Sequence, residues 1–189
     1  MNRAFRGLAD GLRAVSAAGT AAAVAALAAC ASAPAAVSDN LDSVTATTVT
    51  VMDSPVELIT ETPRGGVGDP FAYVAPFETD WMGERALYLW ISAPQVNGSG
   101  TQPRVSCDGH PLELQTLSGD LAEFKLSRAP YKVPAPWSAQ WYFRLPQVSL
   151  DCLGTAQGIA IETQDAQGEP ERFSASGKAL AALQAFVRR

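Results

Sequence analysis

His110 is the one histidine of the chain and the first residue to consider as a catalyst. A neutral imidazole serves as a general base only when a nucleophile and an orienting acid lie beside it. The chain has no Gly-x-Ser-x-Gly sequence that would mark such a nucleophile. His110 lies between Cys107 and Pro111, in a setting typical of a turn. A hydrolase that uses His110 is therefore the weakest of the functional hypotheses.

The acidic residues form local groups in predicted turns, where charge keeps the edges of sheets soluble. Glycosidases instead need two carboxylates roughly 5–10 Å apart in a cleft. One histidine also cannot provide a histidine-rich metal site. We therefore expect no enzyme activity, no metal site and no cofactor. The acids concerned are Glu78, Asp80 and Glu84, and Glu162, Asp165, Glu169 and Glu171.

The aromatic residues are the stronger functional signal, because all four tryptophans and all four tyrosines lie between residues 73 and 142. Trp and Tyr dominate contact hot spots and also provide flat surfaces for stacking. Trp90 and Trp141 lie in strand-like patterns, which favours a place in the core. Trp81 and Trp137 lie in turns that contain Gly or Pro. We expect Trp81, together with Tyr131 and Trp137 on a rigid proline-rich segment (residues 129–137), to contact a partner.

The N-terminus has the three parts of a secretory signal. Three arginines lie within the first 13 residues, a mostly apolar run covers residues 14–29, and the run ends in Leu27-Ala28-Ala29-Cys30. This ending resembles the lipobox of bacterial lipoproteins, in which a branched aliphatic residue and two small residues precede the cysteine that receives lipid. The resemblance covers only the first thirty or so residues.

The resemblance implies that residues 1–29 are removed as a signal peptide and that Cys30 carries a diacylglyceryl group and an acylated amine. Because Ala31 rather than aspartate follows Cys30, it also implies an outer-membrane lipoprotein that faces the periplasm, with display at the cell surface as a variant. Two alternatives stay open. One is an ordinary secretory signal cut at residues 31–33 or nearby, and the other is a membrane helix, which needs about 20 strongly apolar residues.

With Cys30 assigned to lipid by this resemblance, Cys107 and Cys152 remain as a single pair. Disulfides persist in the oxidising periplasm, and the separation of the two cysteines matches neither a zinc site nor a CxxC redox motif. We therefore predict a disulfide between Cys107 and Cys152.

Composition limits the remaining classes of function. The chain has 189 residues and a net charge of −5, and residues 1–29 contain three arginines and one aspartate, so the remainder carries −7. Such an acidic domain is a poor match for a nucleic-acid backbone. The expected partners are the membrane lipid, another envelope protein and, as the alternative, a glycan such as peptidoglycan or polysaccharide. The protein hypothesis is a non-enzymatic binding or envelope assembly module.

The elements that must position these residues are mostly short strands separated by Gly, Pro, Asn and Asp. Residues 30–43 are small, polar and without periodicity, and predict a lipidated tether. Residues 44–189 predict an antiparallel, immunoglobulin-like β-sandwich with one C-terminal helix over 177–187, for which Ser176 is the expected N-cap. The predicted strands cover residues 44–52, 56–60, 71–77, 85–92, 105–107, 112–116, 121–126, 140–145, 148–152, 158–164 and 172–176.

Overall fold

A computed structural model describes residues 37–63, 70–94, 102–164 and 168–189. It confirms the mainly β, antiparallel class that the sequence predicts. The described strands form one sheet of eleven. They are β1 (Val37–Asp42), β2 (Thr47–Met52), β3 (Val56–Thr60), β4 (Phe71–Trp81), β5 (Glu84–Pro94), β6 (Arg104–Cys107), β7 (His110–Pro111), β8 (Gln115–Leu117), β9 (Ser138–Arg144), β10 (Gly158–Gln164) and β11 (Pro170–Ser176).

The sheet divides into two branches along one edge of β4. The main path runs β7-β6-β10-β11-β3-β4-β5-β9-β8, and β2 joins β4 beside β3, with β1 outside β2. β3 pairs with residues 71–74 of β4 and β2 with residues 77–81, so the two strands follow one another along the same edge. The two separate sheets of an immunoglobulin-like sandwich are thus not seen, because the described strands are joined into a single hydrogen-bonded sheet.

The division falls where prolines interrupt the backbone pairing. Pro55 lies in the short link between β2 and β3, and Pro76 lies opposite this link in β4. The Tyr131 hydroxyl fills the gap: it donates to the Pro76 carbonyl at 2.6 Å and accepts from the Met52 N–H at 3.0 Å. N–H and C=O of one strand residue point to the same side. Proline has no N–H, so toward the link between β2 and β3 Pro76 presents only its carbonyl. The Tyr131 hydroxyl lies on this side of β4 and donates to that carbonyl.

The core lies on both faces of the central strands, as the two apolar faces of β5 predict. Leu89 and Ile91 pair with Phe143 and Trp141 on one face. Helix α2 (Ala181–Val187) packs beside β2 and β4, and the side chain of Arg189 beyond it donates to Glu78, which pairs with Leu87 on this same face. Helix α1 (Gln147–Thr155) packs against α2. Together, the central strands and the helices bury one continuous hydrophobic core.

The opposite face holds an aromatic cluster. It is covered by residues 121–131, which contribute Phe124 and Tyr131 above the strands. The ring centroids of Phe124 and Tyr88 are 5.0 Å apart, and those of Tyr131 and Trp90 are 5.1 Å apart. Trp90 is fully buried, as its strand pattern predicts. The other rings of the cluster belong to Phe77 and Tyr142.

Three predicted elements are wrong. Residues 121–126 contain a 3₁₀ helix (Leu121–Phe124) instead of a strand, because the Asp120 carboxylate caps it by accepting from the Ala122 N–H at 3.0 Å. Residues 148–152 lie in α1, whose first turn closes on the carbonyl of Pro146. The predicted tether (residues 30–43) is wrong over Val37–Asp42, which forms β1 as a polar edge strand of a kind that resists aggregation.

The C-terminal helix is confirmed, with a 3₁₀ turn (Gly177–Leu180) that leads directly into α2. Ser176 occupies the N-cap position, but its side chain makes no capping hydrogen bond. Leu180, Leu183 and Phe186 are the buried residues of this segment, whereas Val187 is half-buried and Ala179 is exposed.

Gly154 allows the two helices to approach closely. A Cβ atom at position 154 would lie 2.6 Å from Cγ1 of Val187, a β-branched side chain with little rotational freedom. We expect Gly154→Ala to lower the free energy of unfolding by about 1–2 kcal/mol, although alanine is favoured over glycine by about 1 kcal/mol inside a helix. Urea denaturation measures the change. In a Val187→Ala background the loss should be smaller, because Cγ1 is removed while Cβ of residue 187 stays 3.1 Å from the added methyl group. Stabilisation in the wild-type background would contradict the packing argument.

Candidate functional site

Tyr131 is not a surface contact residue, and this part of the predicted site is wrong. Its side chain is only 7% exposed. The ring packs on Trp90 and the hydroxyl fills the gap in the sheet. The proline-rich segment thus buries its tyrosine in the core instead of presenting it to a partner. Burial raises the pKa of the Tyr131 hydroxyl well above its ordinary value, so the group is a neutral hydrogen-bond donor at physiological pH.

Trp137 and Trp81 are both accessible, but the structure does not bring them together. Trp137 is 66% exposed and immediately precedes β9, whose first residue pairs with Pro94 at one end of β5. Trp81 is half-buried and pairs with Glu84 at the other end of β5. Since that strand has eleven residues, each of the two tryptophans belongs to a separate surface. Val133, which is 39% exposed, is a second apolar side chain of the segment that carries Trp137.

A groove with a volume of about 610 Å³ opens beside Trp81. It lies between the β1–β2 turn and the segment that contains the 3₁₀ helix at Leu121–Phe124. Its volume falls within the range of about 300–1,000 Å³ that is usual for small-molecule sites. The side chains that line it combine an indole, a cation, a carboxylate, hydroxyls and aliphatic groups: Thr45, Trp81, Asp120, Leu121, Ala122, Lys125, Leu126 and Ser127.

The buried carboxylate of Asp42 fixes the wall of this groove to the sheet. It accepts from the Ser127 N–H at 2.6 Å, from the Ser127 hydroxyl at 2.8 Å and from the Val44 N–H at 3.1 Å. These bonds, above all the one from the Ser127 N–H, hold the pKa of Asp42 below its ordinary value of 3.8. The groove is therefore shaped before any ligand arrives.

Lys125 stands over the indole ring of Trp81. Its backbone has φ of +58°, a left-handed conformation that non-glycine residues adopt where the surroundings impose it. Its carbonyl accepts from the Thr47 hydroxyl at 2.6 Å. Its Nζ lies 5.4 Å from the centroid of the Trp81 ring. Nζ has neither a hydrogen bond nor an ion pair to any residue in the described part of the chain, so the cation is available to a ligand.

We expect Asp42→Asn to destabilise the protein at neutral pH, because an amide cannot accept all of the hydrogen bonds that the carboxylate accepts. A carboxylate whose pKa is lowered in the folded state stabilises that state above its unfolded pKa, and the stabilisation is lost as pH falls through the folded pKa. The difference between wild type and variant should therefore be full at pH 7 and shrink below pH 3.8. Denaturant titrations at a series of pH values measure it. A difference that is independent of pH would contradict the assignment.

His110 does not lie in a catalytic arrangement. It is exposed in β7, and its imidazole has no hydrogen bond or ion pair to a residue that the structure describes. The nearby carboxylate of Asp108 instead accepts from the Gln157 and Gly158 N–H groups, both at 2.8 Å. Among the described residues, no three His, Cys, Asp or Glu side chains are placed to hold a metal ion.

Cys107 and Cys152 form a disulfide, as predicted. The bond joins β6 to α1, because Cys152 lies in a helix and not in the strand that the sequence pattern suggested. Cys30 and the predicted signal peptide lie outside the described residues. Within the described ranges, none of the helices has the length and apolar character needed to cross a bilayer.

Most residues of the groove carry no signal in the sequence that would identify them as a site. Trp81 was the only member predicted to make contacts, while Asp120, Lys125 and the supporting Asp42 were not singled out. One signal is present: Asp120 followed three residues later by Glu123 is a capping-box pattern that indicates a helix start. In the structure the reciprocal bond of that motif is replaced, because Glu123 accepts from the Ser118 N–H at 3.0 Å and the N–H of the N-cap Asp120 donates to the Ser118 hydroxyl at 3.1 Å. No local pattern places Lys125 over Trp81, because they lie 44 positions apart in the sequence.

Fold and site together define a mainly β domain with an antiparallel sheet, two short helices in its C-terminal part and an open groove at one end of the central strands. No family model, curated protein or solved structure matches the chain. The function is therefore inferred from the chemistry of its own residues.

Proposed function

We propose that the chain is a lipoprotein anchored in the outer membrane through Cys30 and exposed to the periplasm. The lipobox-like sequence motivates the anchor. The disulfide between Cys107 and Cys152 supports the compartment, since such bonds persist where thiols are oxidised. The acyl chains on Cys30 would supply the combined membrane signals that stable anchoring requires.

Labelling of the full chain in bacteria with radioactive palmitate tests the anchor. The wild type should be labelled and should fractionate with membranes, whereas Cys30→Ala should carry no label. Cys152→Ala is the matched control, because it removes a different cysteine and should keep the label. An unmodified N-terminus, or a leader that is still attached, would contradict the proposal.

The domain itself acts in this proposal as a binding module for another envelope protein. The observation that carries this function is the exposure of Trp137 on a segment whose own tyrosine is locked in the core. A large aromatic side chain on a rigid support contributes contact area at low entropic cost. Val133 adds an apolar neighbour on the same segment.

A photo-crosslinking amino acid at position 137 of the full chain tests this function in intact cells. We expect one predominant crosslinked protein, which Trp137→Ala should no longer recover in a pull-down from membranes. Val148→Ala is the control, because Val148 is 73% exposed on α1 and has no part in the proposed surface. Equal recovery by wild type and Trp137→Ala would contradict the assignment of this surface.

Glycan binding is the second candidate function, and the groove beside Trp81 is the observation that favours it. An indole ring next to hydroxyl and carboxylate groups can stack on the C–H face of a sugar and bond to its hydroxyls. The two candidates use surfaces at opposite ends of β5. Substitution of one tryptophan therefore leaves the other surface intact.

A further inference from the structure

We propose that the groove beside Trp81 binds an acidic saccharide, a sugar that carries a carboxylate, with Lys125 as the residue that selects the charge. This inference rests on the glycan-binding candidate and deepens it. The groove presents three chemistries side by side: an indole ring, a cation and a rim of oxygen atoms. A carboxylated sugar ring presents their counterparts, which are a C–H face, an anion and hydroxyl groups.

The position of Lys125 provides the charge selectivity. Three arginines that the structure describes already have partners: Arg85 with Asp80, Arg172 with Glu61 and Glu162, and Arg189 with Glu78. Lys125 Nζ has no such partner among the described residues and is held beside the indole. In a chain with a net charge of −5, most of the surface repels anions. The groove also contains the Asp120 carboxylate, but Lys125 forms no ion pair with it or with any other described carboxylate, so the cation remains available to a carboxylate of the ligand.

The rim provides the hydroxyl partners. One oxygen of Asp120 accepts from the Ala122 N–H, and a carboxylate has further lone pairs for sugar hydroxyls. The Thr45 and Ser127 hydroxyls donate within the protein to Thr47 and Asp42, and each oxygen can still accept a hydrogen bond from a donor of the ligand. Sugar hydroxyls are such donors.

The walls of the groove favour a saccharide over a peptide. An extended peptide gains affinity by adding a strand to an open sheet edge. At this groove β2 is already paired on both sides, with β1 and with β4. The opposite wall contains a 3₁₀ helix and no strand. A ligand here must therefore bind through stacking, charge and hydroxyl contacts.

Calorimetric titration of the detergent-solubilised full chain tests the proposal with two probes, tetragalacturonate and its neutral methyl ester. We expect the ester to bind at least 10-fold more weakly. Lys125→Gln should abolish this preference, and Trp81→Ala should abolish binding of both probes. Lys178→Gln and Val148→Ala are the controls and should bind like wild type, because both residues are exposed outside the groove.

Each outcome decides a separate point. Equal binding of the acid and the ester would overturn charge selection but leave glycan binding in place. No binding of either probe at millimolar concentration would overturn both, while the protein-binding function at Trp137 would be unaffected. Binding of polyglutamate as tightly as tetragalacturonate would overturn the saccharide assignment. If Trp81→Ala fails to fold, NMR titration of the wild type tests the same point: a probe that binds in the groove should shift the resonance of the Trp81 indole N–H, and an unchanged resonance would overturn the assignment.

Discussion

Joint replacement of Cys107 and Cys152 by alanine is expected to lower the free energy of unfolding by about 4 kcal/mol. The two cysteines are 45 positions apart, so the bond closes a long loop. In the chain-entropy account, the disulfide lowers the conformational entropy of the unfolded chain, and this raises the free energy of unfolding by about 4 kcal/mol. The expected loss is a large share of the 5–15 kcal/mol that typically stabilises a domain. Urea denaturation of the oxidised wild type and of the double variant measures it.

The position of the disulfide indicates which part of the domain is destabilised most when the bond is removed. β6 lies near the end of the main strand order, between β10 and the two-residue strand β7. Cys107 is fully buried there, and its partner Cys152 belongs to α1. Without the disulfide, α1 loses its covalent link to β6, although Asp108 still accepts from the Gln157 and Gly158 N–H groups beyond the end of α1. We expect the amide hydrogens of α1 and β6 to exchange before those of the central strands.

Reduction provides the control for this prediction. A thiol reductant should lower the stability of the wild type nearly as far as the double substitution does, and it should leave the double variant unchanged. A loss of less than about 1 kcal/mol in the double variant would contradict the chain-entropy account. A reductant effect on the variant would show that the treatment acts elsewhere.

The sequence predicted best those elements whose signal is local. Alternating apolar residues identified residues 85–92, which lie within β5, and the hairpin of β10 and β11 came from two β-rich runs around a turn. The C-terminal helix was predictable for the same reason, since its apolar residues repeat with helical spacing. Each of these signals lies within one strand, one hairpin or one helix, so it needs no contact with a distant part of the sequence.

Elements whose secondary structure depends on contacts with residues far away in the sequence were predicted poorly. β1 has the polar composition of a linker and becomes a strand only because β2 offers it an edge along its whole length. The apolar residues of 148–152 suit a strand or a helix equally, and helix α1 results where Leu150 and Leu153 both pack into the core. Periodicity alone cannot show whether a short apolar run of this kind forms a strand or a helix.

The site shows the same limit. The residue types of Trp81 and Trp137 signal binding, but their separation at opposite ends of β5 follows from strand pairing. The proline-rich composition of residues 129–137 predicts that Tyr131 lies on the surface. It is buried because the link between β2 and β3 leaves a backbone donor and acceptor unpaired, which only the folded sheet reveals. Buried backbone groups are almost always paired, so a side chain must enter this gap.

Tyr131→Ala is expected to cost about 3–5 kcal/mol, the usual loss for a large buried aromatic side chain. Tyr131→Phe keeps the ring on Trp90 and removes only the hydroxyl, which leaves the Met52 N–H and the Pro76 carbonyl without a partner. We expect about 1–3 kcal/mol for this variant, the penalty of burying unpaired polar groups. Urea denaturation at pH 7 measures both. A Phe variant as stable as wild type would contradict the role of the hydroxyl in the divided sheet.

Alkaline pH gives an independent measure of the same hydroxyl. Burial, the main cause, raises the pKa of Tyr131 far above its ordinary value of 10.0 in the folded state. The stabilisation is therefore complete below pH 10 and is lost as pH rises, because the unfolded chain releases a proton that the folded chain retains. From pH 10 upward the stability of the wild type should fall relative to Tyr131→Phe, with a slope that approaches about 1.4 kcal/mol per pH unit as the unfolded-state hydroxyl ionises completely. Since the other tyrosines are common to both proteins, their titration cancels in this difference, and parallel pH profiles would show that the Tyr131 hydroxyl is not buried as a neutral donor.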